Sequence, residues 1–217
     1  MTNKFALRLA SALVLAPLSI FCVYAVGYFF FGLVFLAFIA CLHEWGRMCI
    51  KLPDRKWLTG LFGFVYFASC YAMFFFIRAQ SDGIWLIFLL FVIVWGCDIG
   101  AYVFGKIIGG EKCVPLISPN KTWAGVWGGA FSAVVLSLIY VYFLLPERFS
   151  LSYLALMAVV IAFASMLGDL LISYVKRRAD VKDTGHLIPG HGGVLDRIDS
   201  LILATVPMAY FVYWDVI

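Results

Sequence analysis

The chain has 217 residues, of which 65% are hydrophobic, 18% aromatic and only 13% charged, with a formal net charge of +4. An ordinary soluble domain is about half apolar, so this composition excludes one. Apolar segments recur along the whole chain, which excludes a single leader ahead of a soluble domain.

Leu9 to Leu42 carries no charged side chain. As one helix it would run about 50 Å at 1.5 Å per residue. A hydrocarbon core is only about 30 Å thick. Two short helices broken near Gly27 and Gly32 fit better, and one steeply tilted helix is the alternative. His43-Glu44-Trp45 ends the second of these spans. It is not an HExxH zinc motif, because no second histidine follows at the required spacing. Arg47, Lys51, Arg55 and Lys56 follow, as expected of cations that meet anionic headgroups and fix topology. Five further spans are expected at about 57–77, 84–105, 122–145, 151–175 and 195–214. The fold class is therefore all-α: a polytopic transmembrane helix bundle of about seven spans, or six if the first two are one. With no repeat or linker in view, 1–217 reads as one integral membrane domain. Its residues 1–80 are N-terminal spans, and 84–217 supply catalytic helices and cytoplasmic loops. The six cysteines form no CxxC pair and read as small buried hydrophobes.

Charge sets orientation. With the N-terminus and alternate connections on one side, that side receives Lys4, Arg8, Arg47, Lys51, Arg55, Lys56, Lys106, Lys112, Lys121, Lys176, Arg177, Arg178, Lys182 and Arg197. Only Arg78 and Arg148 remain for the other side. By the positive-inside rule the first side, with the N-terminus, is cytoplasmic.

The helices that lead into connections 106–121 and 176–194 each carry a carboxylate inside an apolar span, Asp98 and Asp169. Such residues are costly in a membrane and are functional candidates. Their alternative role is a structural hydrogen bond or ion pair. Both should lie roughly 10–12 Å below the cytoplasmic charges. Asp196 and Asp199 open the last helix three residues apart, hence on one face. They are either a salt-bridged helix start or part of a divalent-metal site. Hard oxygen ligands without organised Cys or His favour magnesium or manganese over zinc. Four carboxylates could thus converge at one depth.

Ser118-Pro119-Asn120-Lys121-Thr122 precedes a helix and reads either as an anion site or as a capped turn. Gly190, Gly192 and Gly193 allow backbone N–H groups to face an anion. His191 among them binds phosphate or closes the turn. Neither segment matches GxxxxGK[ST], so a P-loop ATPase is disfavoured.

Taken together these residues resemble the phosphatidate cytidylyltransferase (CDP-diacylglycerol synthase) family. Ser173, Lys176, Arg177, Lys182, Asp183, His191, Gly192, Gly193, Asp196, Arg197 and Asp199 stand at the spacing of its C-terminal signature. A second stretch, Trp95 to Gly125, is similar through Asp98, Ala101, Tyr102, Gly105, Lys106 and Ser118 to Trp123. There Ala124 replaces the family's usual Glu. Glu44-Trp45 is similar to a family feature of low specificity.

The resemblance implies transfer of CMP from CTP to phosphatidate, giving CDP-diacylglycerol and pyrophosphate in phospholipid biosynthesis. It implies catalytic roles for Asp98, Asp169, Asp196, Asp199, Lys176 and Arg197, with Asp169, Asp196 and Asp199 on Mg2+ or Mn2+. An additional monovalent cation is left open. Substrate contacts fall to Ser118, Asn120, Lys121, Thr122, Ser173, Arg177, Lys182, Asp183, His191, Gly192 and Gly193. The implied partners are CTP, phosphatidate, the bilayer and a second copy as a homodimer, with no nucleic acid. The implied location is the cell (inner) membrane, multi-pass, with the site facing the cytoplasm.

Two rivals are weaker. A transporter for an anionic solute needs polar residues across the full thickness, and the outer halves of these spans are apolar. A CDP-alcohol phosphotransferase would carry a DxxDG run, which this chain lacks.

Overall fold

The computed structural model describes residues 17, 20, 21, 23, 24, 27–145, 148–188, 190 and 192–216. Six helices and one small hairpin account for most of them: α1 (Tyr28–Lys51), α2 (Lys56–Arg78), α3 (Gly83–Ile107), β1 (Lys112–Val114), β2 (Ser118–Thr122), α4 (Trp123–Leu144), α5 (Leu151–Arg178) and α6 (Leu195–Val216). Among the described residues five helices, α1 to α5, are long and apolar enough to cross a membrane. The chain is a multi-pass, helical membrane protein.

Two expectations about α1 change, and five of the expected spans are among the described residues. The expected 195–214 segment does form a helix, but Asp196, Arg197 and Asp199 dilute its apolar start and Pro207 lies inside it. Most of residues 9–26, with the expected first span, lie outside the described residues, as do Lys4 and Arg8. The break near Gly32 does not occur. Gly27, at φ 92, precedes α1, and the helix runs unbroken through Gly32. It also continues past His43-Glu44-Trp45 to Lys51, so Glu44 sits two turns inside a helix rather than at its end.

The chain divides into two compact units. One comprises the part through Tyr71 together with Val175–Ile198. Its centre is Trp45, which is 2% exposed. The Trp45 indole meets Phe67 edge-on at 5.5 Å between ring centroids and donates Nε1–H to the Thr59 carbonyl at 2.9 Å. Gly63 lets α2 close on that indole, where a Cβ would collide with the ring. The end of α5 is a Schellman motif: Val181 N–H reaches the Lys176 carbonyl at 3.0 Å and Asp180 N–H the Arg177 carbonyl at 3.2 Å. Asp180 takes the left-handed position at φ 52 that glycine usually fills. This stop turns the chain sharply into 181–194.

The other unit comprises Ala72–Tyr174 and Asp199–Ile217. Leu86, Ile87, Leu89, Leu90 and Ile93 of α3 are fully buried in it. Packing of α3 on α4 depends on small residues. A Cβ on Gly125 would lie 2.7 Å from the Ala101 carbonyl, and one on Gly129 would lie 2.8 Å from the Cys97 carbonyl. Small residues four apart are how membrane helices approach closely. Lys112 pairs with Thr122 and Val114 with Ser118 in the β1–β2 hairpin, which delivers the chain into α4. At the other ends of these helices Arg148 donates to Asp82 at 2.8 Å. Those two residues precede α5 and α3, so alternate connections share a side, as the topology requires.

This packing predicts that Gly129→Leu lowers the detergent melting temperature by several degrees or prevents folding, since overpacking costs about 1–3 kcal/mol or more. Gly60→Leu, where no atom lies within 4 Å of the new Cβ, should leave it unchanged. Thermal unfolding of the two purified variants checks this.

Candidate active site

In the first unit, the signature loop is organised by a residue from α1. Glu44 is 1% exposed. Its carboxylate accepts from Thr184 Oγ1 at 2.7 Å, from Val194 N–H at 3.0 Å and from Leu195 N–H at 2.9 Å. The last two donors open α6. Helix N-termini leave N–H groups without intrahelical partners and carry partial positive charge, so a buried carboxylate suits them. Asp196 completes the frame. Its Oδ2 accepts from Thr184 N–H at 2.8 Å and Gly193 N–H at 3.0 Å, and shares with Glu44 the single proton of Thr184 Oγ1, 3.0 Å away. Its Oδ1 takes Lys176 Nζ at 2.8 Å.

This explains the glycines. A Cβ on Gly193 would run into the Thr184 hydroxyl and the Glu44 carboxylate. Gly192 has φ 88, and a Cβ there would lie 3.0 Å from Asp196 Oδ2. The Gly193 N–H therefore faces Asp196 rather than an open anion nest. The Ile188 N–H to Gly192 carbonyl bond, 2.9 Å, closes the turn. His191 lies outside the described residues. Lys182, Asp183, Arg177 and Arg197 are exposed, whereas Lys176 is buried on its carboxylate. A buried pair of this kind orients more than it stabilises.

In the second unit, Asp169 on α5 pairs with Lys121 at 2.5 Å and accepts from Ser173 Oγ at 3.2 Å. Lys121 Nζ also reaches the Met166 carbonyl at 3.5 Å. Asp98 on α3 lies within electrostatic range of both Asp169 and Lys121. Gly168 admits α6 beside them: its Cβ would stand 2.6 Å from the Asp199 carbonyl. Asp98, Lys121 and Asp169 thus interact, and the Asp199 backbone passes beside them at Gly168. Thr122 caps α4, its hydroxyl accepting from Gly125 N–H at 3.1 Å. Of the two readings of 118–122, the capped turn is realised at Thr122, while Lys121 reaches a carboxylate. Asn120 is exposed and Ser118 half-buried on β2. Gly125 serves helix contact rather than a ligand.

The carboxylates divide in their fitness for a metal. No group of three or more His, Cys, Asp or Glu stands together as a complete ligand set among the described residues. Magnesium usually takes one or two carboxylates and completes its shell with water and substrate phosphates. Asp169 and Asp98 offer hard oxygens of that kind, Asp169 with Lys121 and Ser173 on its two oxygens. Asp196 is more fully engaged: Lys176 and the Thr184 and Gly193 N–H groups sit on its two oxygens, with a share of the Thr184 hydroxyl.

Glu44 and Thr184 were not among the expected site residues. The signal for Thr184 was its place directly after Lys182-Asp183. The signal for Glu44 was the Glu44-Trp45 pair alone.

The sequence profile of the Cytidylyltransferase family matches residues 51–215. The chain belongs to the cytidylyltransferase family. Within that family it is similar to a protein named phosphatidate cytidylyltransferase from Rickettsia bellii (strain RML369-C), with 37% identity over 95% of this chain and 89% of the relative. A protein of the same name from Rickettsia conorii (strain ATCC VR-613 / Malish 7) is also 37% identical, over 92% of this chain and 87% of that protein. The one from Haemophilus influenzae (strain ATCC 51907 / DSM 11121 / KW20 / Rd) is 43% identical over 61% of this chain and 47% of its own length. Both carboxylate groups described above fall within the family match, apart from Glu44, which precedes it.

Proposed function

We propose that this cytidylyltransferase-family chain transfers CMP from CTP to phosphatidate, releasing pyrophosphate and forming CDP-diacylglycerol. What supports this most is the near-full-length similarity to proteins named phosphatidate cytidylyltransferase. The side-chain chemistry agrees with it.

A phosphate oxygen of the lipid attacks the α-phosphorus of CTP. One P–O bond forms, the α–β anhydride bond breaks, and pyrophosphate leaves with the electron pair. The nucleophile is already anionic, so no general base is needed. Catalysis then lies in holding two polyanions together and offsetting charge as it moves. Lys121, Lys176, Arg177, Lys182 and Arg197 are assigned to the phosphates. Asp196 holds Lys176 and the Gly193–Thr184 frame in place and acts as a positioning residue. Asp169 and Asp199, with Asp98, would hold Mg2+ or Mn2+. Such an ion stabilises charge on attacking and leaving oxygens. The cation distribution supports a site at the cytoplasmic face of the membrane, where CTP arrives from water and the acyl chains stay in lipid.

The test is direct. Protein in mixed micelles with phosphatidate, labelled CTP and Mg2+ should form CDP-lipid. A chelator should stop formation, and excess Mg2+ or Mn2+ should restore it. No product under conditions where an established synthase works would overturn the proposal.

A further inference from the structure

The first unit contains a cavity that the signature residues only partly explain. It has a volume of about 260 Å³. At roughly 30 Å³ per water it holds about eight waters, more than a single phosphate displaces. One wall is α1, which presents Arg47 and Lys51. These residues are four apart, so they share a helix face. The facing wall is the 181–186 loop, which contributes Lys182 and His186, with Asp183 as the one carboxylate. Thr184 and Gly185, both buried, also line it.

The cations on and around the cavity differ in their partners. Lys176 and Arg178 have carboxylate partners, Asp196 and Asp54. Arg47, Lys51 and Lys182 have no ion pair among the described residues. A cavity with three cations against one carboxylate concentrates anions. Its shape is also fixed, because Thr184 is tied to both Glu44 and Asp196. Topology alone would explain cations at the end of α1. It would not explain why two of them line a cavity opposite Lys182 and His186.

We propose that this cavity binds a phosphate-bearing anion larger than a single phosphate, with Arg47 and Lys51 as contacts outside the signature. Two sources share that chemistry: the polyphosphate of CTP, or the headgroup of an anionic lipid. The assignment extends the proposed reaction, but its binding test does not depend on turnover.

The experiment compares wild type with the double variant Arg47→Ala/Lys51→Ala and with Lys56→Ala, an exposed cation that does not line the cavity. Pyrophosphate binding to detergent-purified protein is measured by calorimetry. Half-saturation by CTP and by phosphatidate in mixed micelles is measured in parallel. Losing two charge-assisted contacts should weaken the bound anion at least about tenfold. Weaker pyrophosphate and CTP binding with unchanged phosphatidate half-saturation supports the nucleotide as source. A raised phosphatidate half-saturation with unchanged pyrophosphate and CTP supports the lipid headgroup. Less than about a twofold change in all three overturns the proposal, as does an equal effect of Lys56→Ala, which would mean bulk charge alone. If no CDP-lipid forms in any sample, the reaction assignment fails and the pyrophosphate titration still decides the cavity.

Discussion

Asp169→Asn is expected to cut CDP-lipid formation by about a hundredfold or more while leaving the protein folded. The amide keeps the volume of the carboxylate and its bond from Ser173, so packing on α5 has no reason to fail. What is lost is the negative charge that faces Lys121 at 2.5 Å and would hold the divalent ion. Lys121 would then stand without its counter-ion beside Asp98, and the hard-oxygen donor set would lose its central member. Steady-state kinetics should show the loss mainly in kcat, with the melting temperature within a few degrees of wild type. Near-normal turnover would remove Asp169 from the site.

Glu44→Gln should have the second-largest effect, and of a different kind. The carboxylate accepts three hydrogen bonds in a buried place, two of them from the first N–H groups of α6. An amide presents one oxygen and one NH2, so at least one donor faces another donor. A buried donor left unsatisfied costs about 1–3 kcal/mol. Glu44 touches no reacting atom in this account. The variant should therefore lose both stability and activity: a melting temperature lower by several degrees and turnover reduced about tenfold or more. Thr184→Ser keeps the hydroxyl and should stay close to wild type. Thr184→Val removes it and should resemble Glu44→Gln. Wild-type melting and turnover in Glu44→Gln would show that the frame is dispensable.

The contrast between Asp169 and Glu44 shows what could be read from the residues alone. Asp169 was visible because a carboxylate inside an apolar span is rare and expensive. Asp98, Lys121 and the glycine-flanked turn were visible for similar reasons of composition, and four helices closely match the expected spans. Glu44 looked like the end of a span because its neighbours turn basic. Its role depends on a partner about 150 residues away, and no local pattern encodes such a pairing. The glycines were ambiguous for the same reason. Gly125 and Gly129 serve helix contact, and Gly193 makes room for Glu44 and Thr184, yet in the sequence each equally suits a ligand. Asp196 was read as a metal ligand from its spacing with Asp199. Only the Lys176, Thr184 and Gly193 donors around it reveal a structural claim on both its oxygens.

The central claim is that the α-phosphoryl group of CTP, with its cytidine, moves to a lipid phosphate. Purified protein given phosphatidate and CTP labelled at either the α- or the γ-phosphorus tests it most directly. The account predicts that α-label enters the organic phase as CDP-lipid while γ-label stays in water as pyrophosphate, in equal amounts. Transfer of γ-label to the lipid, or no label in the organic phase from either substrate, would contradict it.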